Sequence, residues 1–259
     1  MPLPNVTIIG TGNLALHLSK ALERGGMKVA EVAGRQSAKA QSIASQLYDA
    51  QAQQGFDFSS SEARLFFLCV SDAAISAVAS QLVLPEKSLV VHCSGATSVD
   101  VLSHIQGEFG VFYPVQTFSA KRKVSFKEVP VCLEASSDTS EELLETVAKK
   151  MESAPCFMNS SQRLTVHLSA VFACNFTNHF FLIAQTLLQD QGLPWELLHP
   201  LIEETVTKAL EIGPKQAQTG PAIRKDYTTM GVHEELLEEY PEWQELYRSI
   251  SKKITKVKE

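Results

Sequence analysis

The apolar run Val6 to Ile9, followed at once by Gly10-Thr11-Gly12-Asn13-Leu14-Ala15, constrains the fold more than any other stretch of this chain. Next comes Asn13 to Gly25, which carries Leu14, Leu18, Ala21 and Leu22 at helical spacing, and Gly25-Gly26 is a natural stop before a second strand near Lys28 to Ala33. Strand, helix and strand in so few residues is the compact unit of a nucleotide-binding sheet. Within it Gly10 permits the tight turn, Gly12 lets the backbone approach a pyrophosphate, and Ala15 lets the helix pack closely on the sheet. Thr11, Asn13 and Leu14 complete the segment, and the helix start offers free N–H groups and partial positive charge to phosphates. A plain strand-to-helix turn has the same spacing, but the register with strand and helix on either side favours the dinucleotide reading.

The rest of the first half keeps the alternation. Leu65 to Val70, Leu89 to Cys93, Val111 to Phe112 and Val129 to Leu133 read as strands, and Lys39 to Tyr48, Ala73 to Leu82, Val99 to Ile105 and Ser140 to Met151 as helices. That pattern predicts an α/β fold built on a doubly wound parallel sheet. From Arg163 to Gln191 the chain has neither Pro nor Gly and keeps a helical period, which predicts a long spine helix. Trp195 to Ile212 and Glu234 to Ile254 continue an all-helical part, and the boundary between Phe157 and Gln162 gives a cofactor domain over 1–158 and a helical substrate and dimerisation domain over 159–259. The spine carries more apolar positions than one stripe needs, so a second subunit is expected to cover it, making a homodimer. The Lys-rich end, Lys252, Lys253, Lys256 and Lys258, reads as a solvated, fraying helix.

Charge and composition remove other classes. Lys plus Arg total 23 against 29 Asp plus Glu, a net charge of −6, so nothing favours nucleic acid as the partner. Cys69, Cys93, Cys132, Cys156 and Cys174 are too far apart for a C-x-x-C pair, and are read as buried thiols with no metal site. Met1-Pro2-Leu3-Pro4 lacks the basic start of a signal peptide. No apolar run approaches the roughly 18 to 20 residues of a membrane span. The expectation is a cytoplasmic protein with no membrane partner.

The end of the second strand speaks to the cofactor. NAD sites place a carboxylate there for the ribose 2′-hydroxyl, whereas NADP sites need a cation for the 2′-phosphate. Here the strand ends in Gly34-Arg35-Gln36-Ser37, with Glu31 too early to reach the ribose, so Gly34, Arg35 and Ser37 point to NADP. Arg35 as an ordinary surface arginine is the bland alternative. Two further strand ends face the same crevice in a sheet of this kind. Val70, Ser71, Asp72 and Ile75 follow the third strand, Ser71 and Asp72 serving either the nicotinamide ribose or simply a helix cap. Cys93, Ser94 and Gly95 bring small residues and backbone donors beside the expected nicotinamide, and His92 is either catalytic or a core histidine.

With these residues in hand, the chain resembles the Rossmann-like family provisionally classed as NADP oxidoreductases. Its relatives include pyrroline-5-carboxylate reductase, ketopantoate reductase and 6-phosphogluconate (beta-hydroxyacid) dehydrogenase. Beyond Gly10 to Ala15 the resemblance rests on His92-Cys93-Ser94-Gly95, on Tyr113-Pro114-Val115-Gln116-Thr117-Phe118, on Asn175, and on Thr219-Gly220-Pro221-Ala222 with Arg224 and Asp226. It implies a helical, dimer-forming second domain of the 6-phosphogluconate dehydrogenase type, and hydride transfer between NADPH and a small carbonyl, imine or hydroxyacid. One departure stands out. The spine-helix lysine that serves as general acid in the beta-hydroxyacid branch is replaced by Val171. His167, on roughly the same face as Asn175 by the 3.6-residue period, is either its substitute or a buried polar group. Tyr113 to Thr117 is expected to form a loop at the crevice mouth, Pro114 shaping the wall and Gln116 meeting the substrate. Arg224 is either a clamp for a substrate carboxylate or phosphate, or a surface ion-pair residue. The missing lysine keeps a second hypothesis open, a regulatory or sensor dimer that binds NADP without turnover.

Overall fold

A computed structural model describes residues 3–256, so Met1, Pro2 and Lys258 lie outside the described residues. Eight strands, β1 (Asn5–Ile9), β2 (Val29–Ala33), β3 (Gln51–Gln53), β4 (Ala63–Leu68), β5 (Leu89–His92), β6 (Glu108–Pro114), β7 (Pro130–Ala135) and β8 (Ala154–Phe157), form one sheet in the order β3-β2-β1-β4-β5-β6-β7-β8. From β3 to β6 all neighbours are parallel, and the strand order reverses direction at β1 and β4. The sheet is not parallel throughout: β7 runs antiparallel to β6, with β8 parallel to β7. The segment between β6 and β7 contains no helix that could carry the chain back across the sheet, so β7 returns alongside its predecessor.

The period of two along the strands sorts side chains onto the two faces. Val6, Ile8, Leu65, Phe67 and Val91 join a cluster with Leu18 of α1 (Asn13–Arg24), Ile43 of α2 (Ser37–Ala44) and, further along the chain, Leu144 of the helix Asp138–Lys150. Ile9, Phe66, Leu68 and Val90 point the other way and pack with Ile75 and Val78 of α3 (Ile75–Ala79). Several boundaries differ from expectation. The expected helix Ala73 to Leu82 is a 3-10 turn, Asp72–Ala74, followed by α3, and Val99 to Ile105 shortens to a 3-10 turn, Val99–Leu102. Tyr113 and Pro114 are not in a loop: they pair with Cys132 and Val131, so β6 runs to Pro114. The edge strands β3 and β8 lack an apolar alternation; Gln51-Ala52-Gln53 is polar and β8 contains Pro155, both tolerated at an edge.

After α4 (Asp138–Lys150), the long helix comprises α5 (Ser160–Ala170), a π segment (Val171–Phe176) and α6 (Thr177–Asp190), a continuous 31 residues. A reciprocal cap sets its start: Asn159 Oδ1 accepts from the Gln162 N–H at 2.9 Å, and Gln162 Oε1 accepts from the Asn159 N–H at 3.0 Å. By length and composition alone this helix is apolar enough to cross a membrane, which corrects the expectation that no stretch approaches a span. The π segment also breaks the 3.6-residue period, so the spacing that would put His167 and Asn175 on one face does not run through it.

The chain forms two compact units, Met1–Ala173 and Cys174–Glu259, whose border lies inside the long helix. A buried cluster explains why α5 goes with the sheet. Arg163, 1% exposed, pairs with Glu134 of β7, donates to the Thr97 carbonyl at 2.5 Å and to Ser160 Oγ at 3.1 Å, while Ser160 Oγ donates to Glu134 at 2.8 Å. The second unit contains α7 (His199–Ile212), α8 (Pro214–Ala217), α9 (Pro221–Arg224), α10 (Tyr227–Leu236) and α11 (Pro241–Thr255). There Leu201, Leu210 and Leu236 stand 62%, 83% and 71% exposed. Not all cysteines are buried either: Cys174 is exposed and Cys156 partly so.

Removing one partner of the Arg163–Glu134 pair strands a buried charge. Glu134→Gln is expected to destabilise the first unit by about 3 kcal/mol or more in urea unfolding; an unchanged midpoint would mean the pair carries no such weight.

Candidate functional site

The turn after β1 is held by contacts that admit only glycine at its first position. Gly10 has φ +134°, and a β-carbon there would lie 2.1 Å from the Cys69 carbonyl oxygen at the end of β4. Its N–H donates to the Ala33 carbonyl at 2.8 Å, which ties the turn to the end of β2. Gly12 is different: a β-carbon on it would meet nothing within 4 Å, so its backbone faces open space. As the N-cap of α1, Gly12 brings no capping side chain, leaving the first-turn N–H groups without a side-chain cap beside that space.

This space is a cavity of about 490 Å³ along the carboxyl ends of β1, β2 and β4. Of the residues expected to bind a cofactor, Gly10, Thr11, Gly12, Gly34, Arg35, Val70 and Ser71 line it. Sequence reasoning missed Lys39, Gln36 and Phe56, which line it as well. Lys39 follows Arg35 by four residues and falls on the first turn of α2, so two cations stand at the β2 end, and none of the described lining residues is a carboxylate. Glu31 is engaged elsewhere, accepting from Thr7 Oγ1 at 2.6 Å and from Ser61 Oγ at 2.8 Å.

Other expected residues support the cavity or stand apart from it. Ala15 is fully buried beneath α1 and Ile75 fully buried beneath α3. Leu14 is half-buried. Asn13 Nδ2 donates to the Phe118 carbonyl at 3.1 Å and His17 Nε2 lies 2.9 Å from the Ser119 carbonyl, so the segment after β6 is pinned to α1. Ser37 lines a separate depression with Gln41 and Gln53. Asp72 is exposed in its 3-10 turn, and Ser71 caps that turn without a side-chain hydrogen bond.

At the end of β5 the loop folds on itself. Ser94 Oγ accepts from the N–H groups of Ala96 and Thr97 at 3.1 and 3.0 Å and donates to Thr97 Oγ1 at 2.9 Å, which consumes the hydroxyl. Cys93 Sγ lies 3.8 Å from Cys69 Sγ, and burial pushes the Cys93 thiol well above its ordinary range. His92 is fully buried, its Nδ1 accepting the Ser94 N–H at 3.2 Å. Burial, with repulsion from the Arg163 guanidinium, lowers the His92 pKa to about 4, so this imidazole is neutral near pH 7. Beside the loop, Tyr113 Oη lies 3.1 Å from His167 Nδ1. A β-carbon on Gly95 would fall 2.7 Å from Tyr113 Cζ and 2.8 Å from His167 Nδ1, so this glycine too is required by what touches it. Tyr113 as a polar partner was missed because its strand was read too short.

The remaining candidates fall on separate elements. Pro114 is buried at the end of β6, and Gln116 turns its amide oxygen back to the Thr117 N–H at 2.8 Å. Asn175 is exposed in the π segment, and Arg224 is exposed at the end of α9.

A family model described as a Rossmann-like domain matches residues 2–113, and one described as Domain of unknown function (DUF2520) matches residues 129–254. The family models divide the chain earlier than the two compact units do, since the second model begins within the first unit. The crystal structure of BF3122 from Bacteroides fragilis, a protein provisionally designated an NADP oxidoreductase, is 38% identical over 98% of both chains, with a TM-score of 0.89. Protein TM1727 from Thermotoga maritima is 21% identical over 97% of both chains, TM-score 0.69. A reductive aminase from Aspergillus terreus in complex with NADPH and ethyl levulinate is 14% identical over 99% of this chain and 98% of its own, TM-score 0.70. At such identities the last two likenesses concern the fold. No curated protein matches the chain.

The two glycines of the turn are expected to part company on substitution. Gly10→Ala should lose more than about 1 kcal/mol of stability, since alanine fits neither the positive φ nor the Cys69 contact, whereas Gly12→Ala should unfold close to the unsubstituted protein; equal losses would contradict the geometry. His92 gives a pH signature. Its folded pKa lies below the unfolded value, so stability is full above about pH 6.5 and falls as pH drops toward about 4, by roughly 3 kcal/mol in total. His92→Asn should flatten that part of the stability profile, and an unaltered slope would show that His92 is not its source.

Proposed function

Since the chain belongs to the family in which a Rossmann-like domain is joined to the DUF2520 domain, we propose that it is an NADP-dependent oxidoreductase acting on a small carbonyl, imine or hydroxyacid. The observation that carries this reading is the cavity beside the glycine turn, open at Gly12 and edged by Arg35 and Lys39 with no carboxylate among its described lining residues. The residues fit the cofactor. Backbone N–H groups at Gly12 and the start of α1 would hold the pyrophosphate, Arg35 and Lys39 the 2′-phosphate, and Val70 and Ser71 the wall nearer the nicotinamide. When bound, the dihydronicotinamide supplies a hydride. The protein's part is to fix that ring, exclude water and provide a proton.

The B. fragilis protein's designation as an NADP oxidoreductase and the NADPH complex of the A. terreus aminase support the same cofactor. A homodimer is the second element of the proposal. The exposed leucines of the second unit and the long apolar helix need cover. His167, Asn175, Asn178 and His179 along that helix favour a second copy over lipid, since polar side chains are costly in hydrocarbon. One observation favours the sensor alternative: Val171 stands where related dehydrogenases carry their lysine.

Titration should give NADPH binding at least about tenfold tighter than NADH, with Arg35→Ala and Lys39→Ala each removing part of the difference and the double variant most of it; equal affinities would refute the 2′-phosphate assignment. Oxidation of NADPH with 2-oxoacids, 3-oxoacids, ketone–amine mixtures and cyclic imines then separates enzyme from sensor: turnover of any supports the enzyme, silence across the panel the sensor. Light scattering should report the mass of two chains at micromolar concentration, and a monomer would contradict the dimer.

A further inference from the structure

Reduction of a C=O or C=N bond needs a proton as well as a hydride, and the described residues around the cavity leave few candidates for the donor. His92 is buried and neutral, the thiols of Cys69 and Cys93 face each other, and Ser94 spends its hydroxyl within its own loop. The pair Tyr113 and His167 differs from all of these. Their hydrogen bond of 3.1 Å joins the end of β6 to α5, their rings meet edge to face at 5.9 Å, and both are only partly buried.

Placement follows from the sheet. Val70 and Ser71, which line the cavity, follow β4; Gly95 follows β5; Tyr113 sits at the end of β6. Neighbouring strands are about 4.8 Å apart, so the pair lies roughly 10 Å along the sheet edge from the cavity wall, on the side away from Arg35. Gly95 leaves no side chain between the end of β5 and the two rings. The charged and titratable groups that bear on Tyr113 are His167, the carboxylate of Asp72 after β4, and the Cys132 thiol on β7. Burial first, then the Cys132 thiol and the Asp72 carboxylate, raises the phenol above its ordinary range, so it holds its proton at neutral pH.

We propose that Tyr113 donates the proton in the reduction and that His167 positions and recharges it, a deepening that rests on the oxidoreductase reading. With His167 protonated, its Nδ1–H donates to the phenol oxygen and leaves the phenol O–H for the substrate. As the substrate carbon takes the hydride with its electron pair, the π bond to oxygen or nitrogen breaks and that atom takes the phenolic proton. The phenolate recovers a proton from His167 Nδ1, and solvent returns one to the imidazole. Tyr113 is the catalytic residue and His167 a positioning residue.

Tyr113→Phe and His167→Gln test this with whichever panel compound the unsubstituted protein reduces, alongside imidazole nitrogen NMR. Tyr113→Phe should lower kcat about 100-fold or more with melting temperature and NADPH affinity kept. His167→Gln should lower kcat about tenfold with KM little changed. In the binary complex, before any substrate is added, NADPH should shift the His167 ring signals while 2′-phospho-ADP-ribose, which lacks nicotinamide, should leave them in place. The proposal is overturned if Tyr113→Phe keeps kcat within about threefold, or if the two nucleotides bind and act on His167 alike. A protein that binds no NADPH, or binds it and reduces nothing in the panel, defeats the oxidoreductase reading instead, and the donor falls with it.

Discussion

The Cys69 carbonyl oxygen lies 2.1 Å from where a β-carbon of Gly10 would sit, so β1 and β4 close together at their carboxyl ends only because that position has no side chain. From this contact the rest of the crevice follows. The chain leaves β1 through a backbone conformation that other residues disfavour, Gly12 arrives facing open space, and α1 begins without a side-chain cap. A helix start left this way stabilises an anion more readily than it stabilises itself. Arg35 and Lys39 extend the positive lining to the end of β2, against a chain whose net charge is −6.

At the other end of the sheet, electrostatics does structural work. Arg163 is buried with Glu134, the Thr97 carbonyl and Ser160, joining β7, the loop after β5 and the start of α5. Burial, reinforced by the same guanidinium, keeps His92 neutral, so one buried cation is balanced without a second beside it. That arrangement holds the loop containing Gly95 and the turn of α5 containing His167 in fixed relation, and so presents the Tyr113–His167 pair.

The first strand–helix–strand unit could be read from residues 5–33 because each step has a local cause: apolar alternation, the glycine spacing and the Gly25-Gly26 stop. The edge strands β3 and β8 carry no such pattern, since an edge buries one side at most. The antiparallel β7 depends on a connection without a helix, and the π segment at Val171–Phe176 has no marker in a period-3.6 reading. In the crevice, Gly10, Gly12 and Arg35 were legible from spacing. Lys39 was hidden as an ordinary helix lysine, and Ser37, although adjacent to Arg35, turns to a different surface. Tyr113 and His167, 54 positions apart, meet only through β6 and α5, a juxtaposition that no local pattern contains.

A crystal structure of the protein with NADPH measures the central claim directly. The account predicts the pyrophosphate against the backbone of Gly10 to Asn13 and the 2′-phosphate within hydrogen-bond reach of Arg35 and Lys39. A nucleotide bound elsewhere, or one whose 2′-phosphate points into solvent away from both cations, would contradict it.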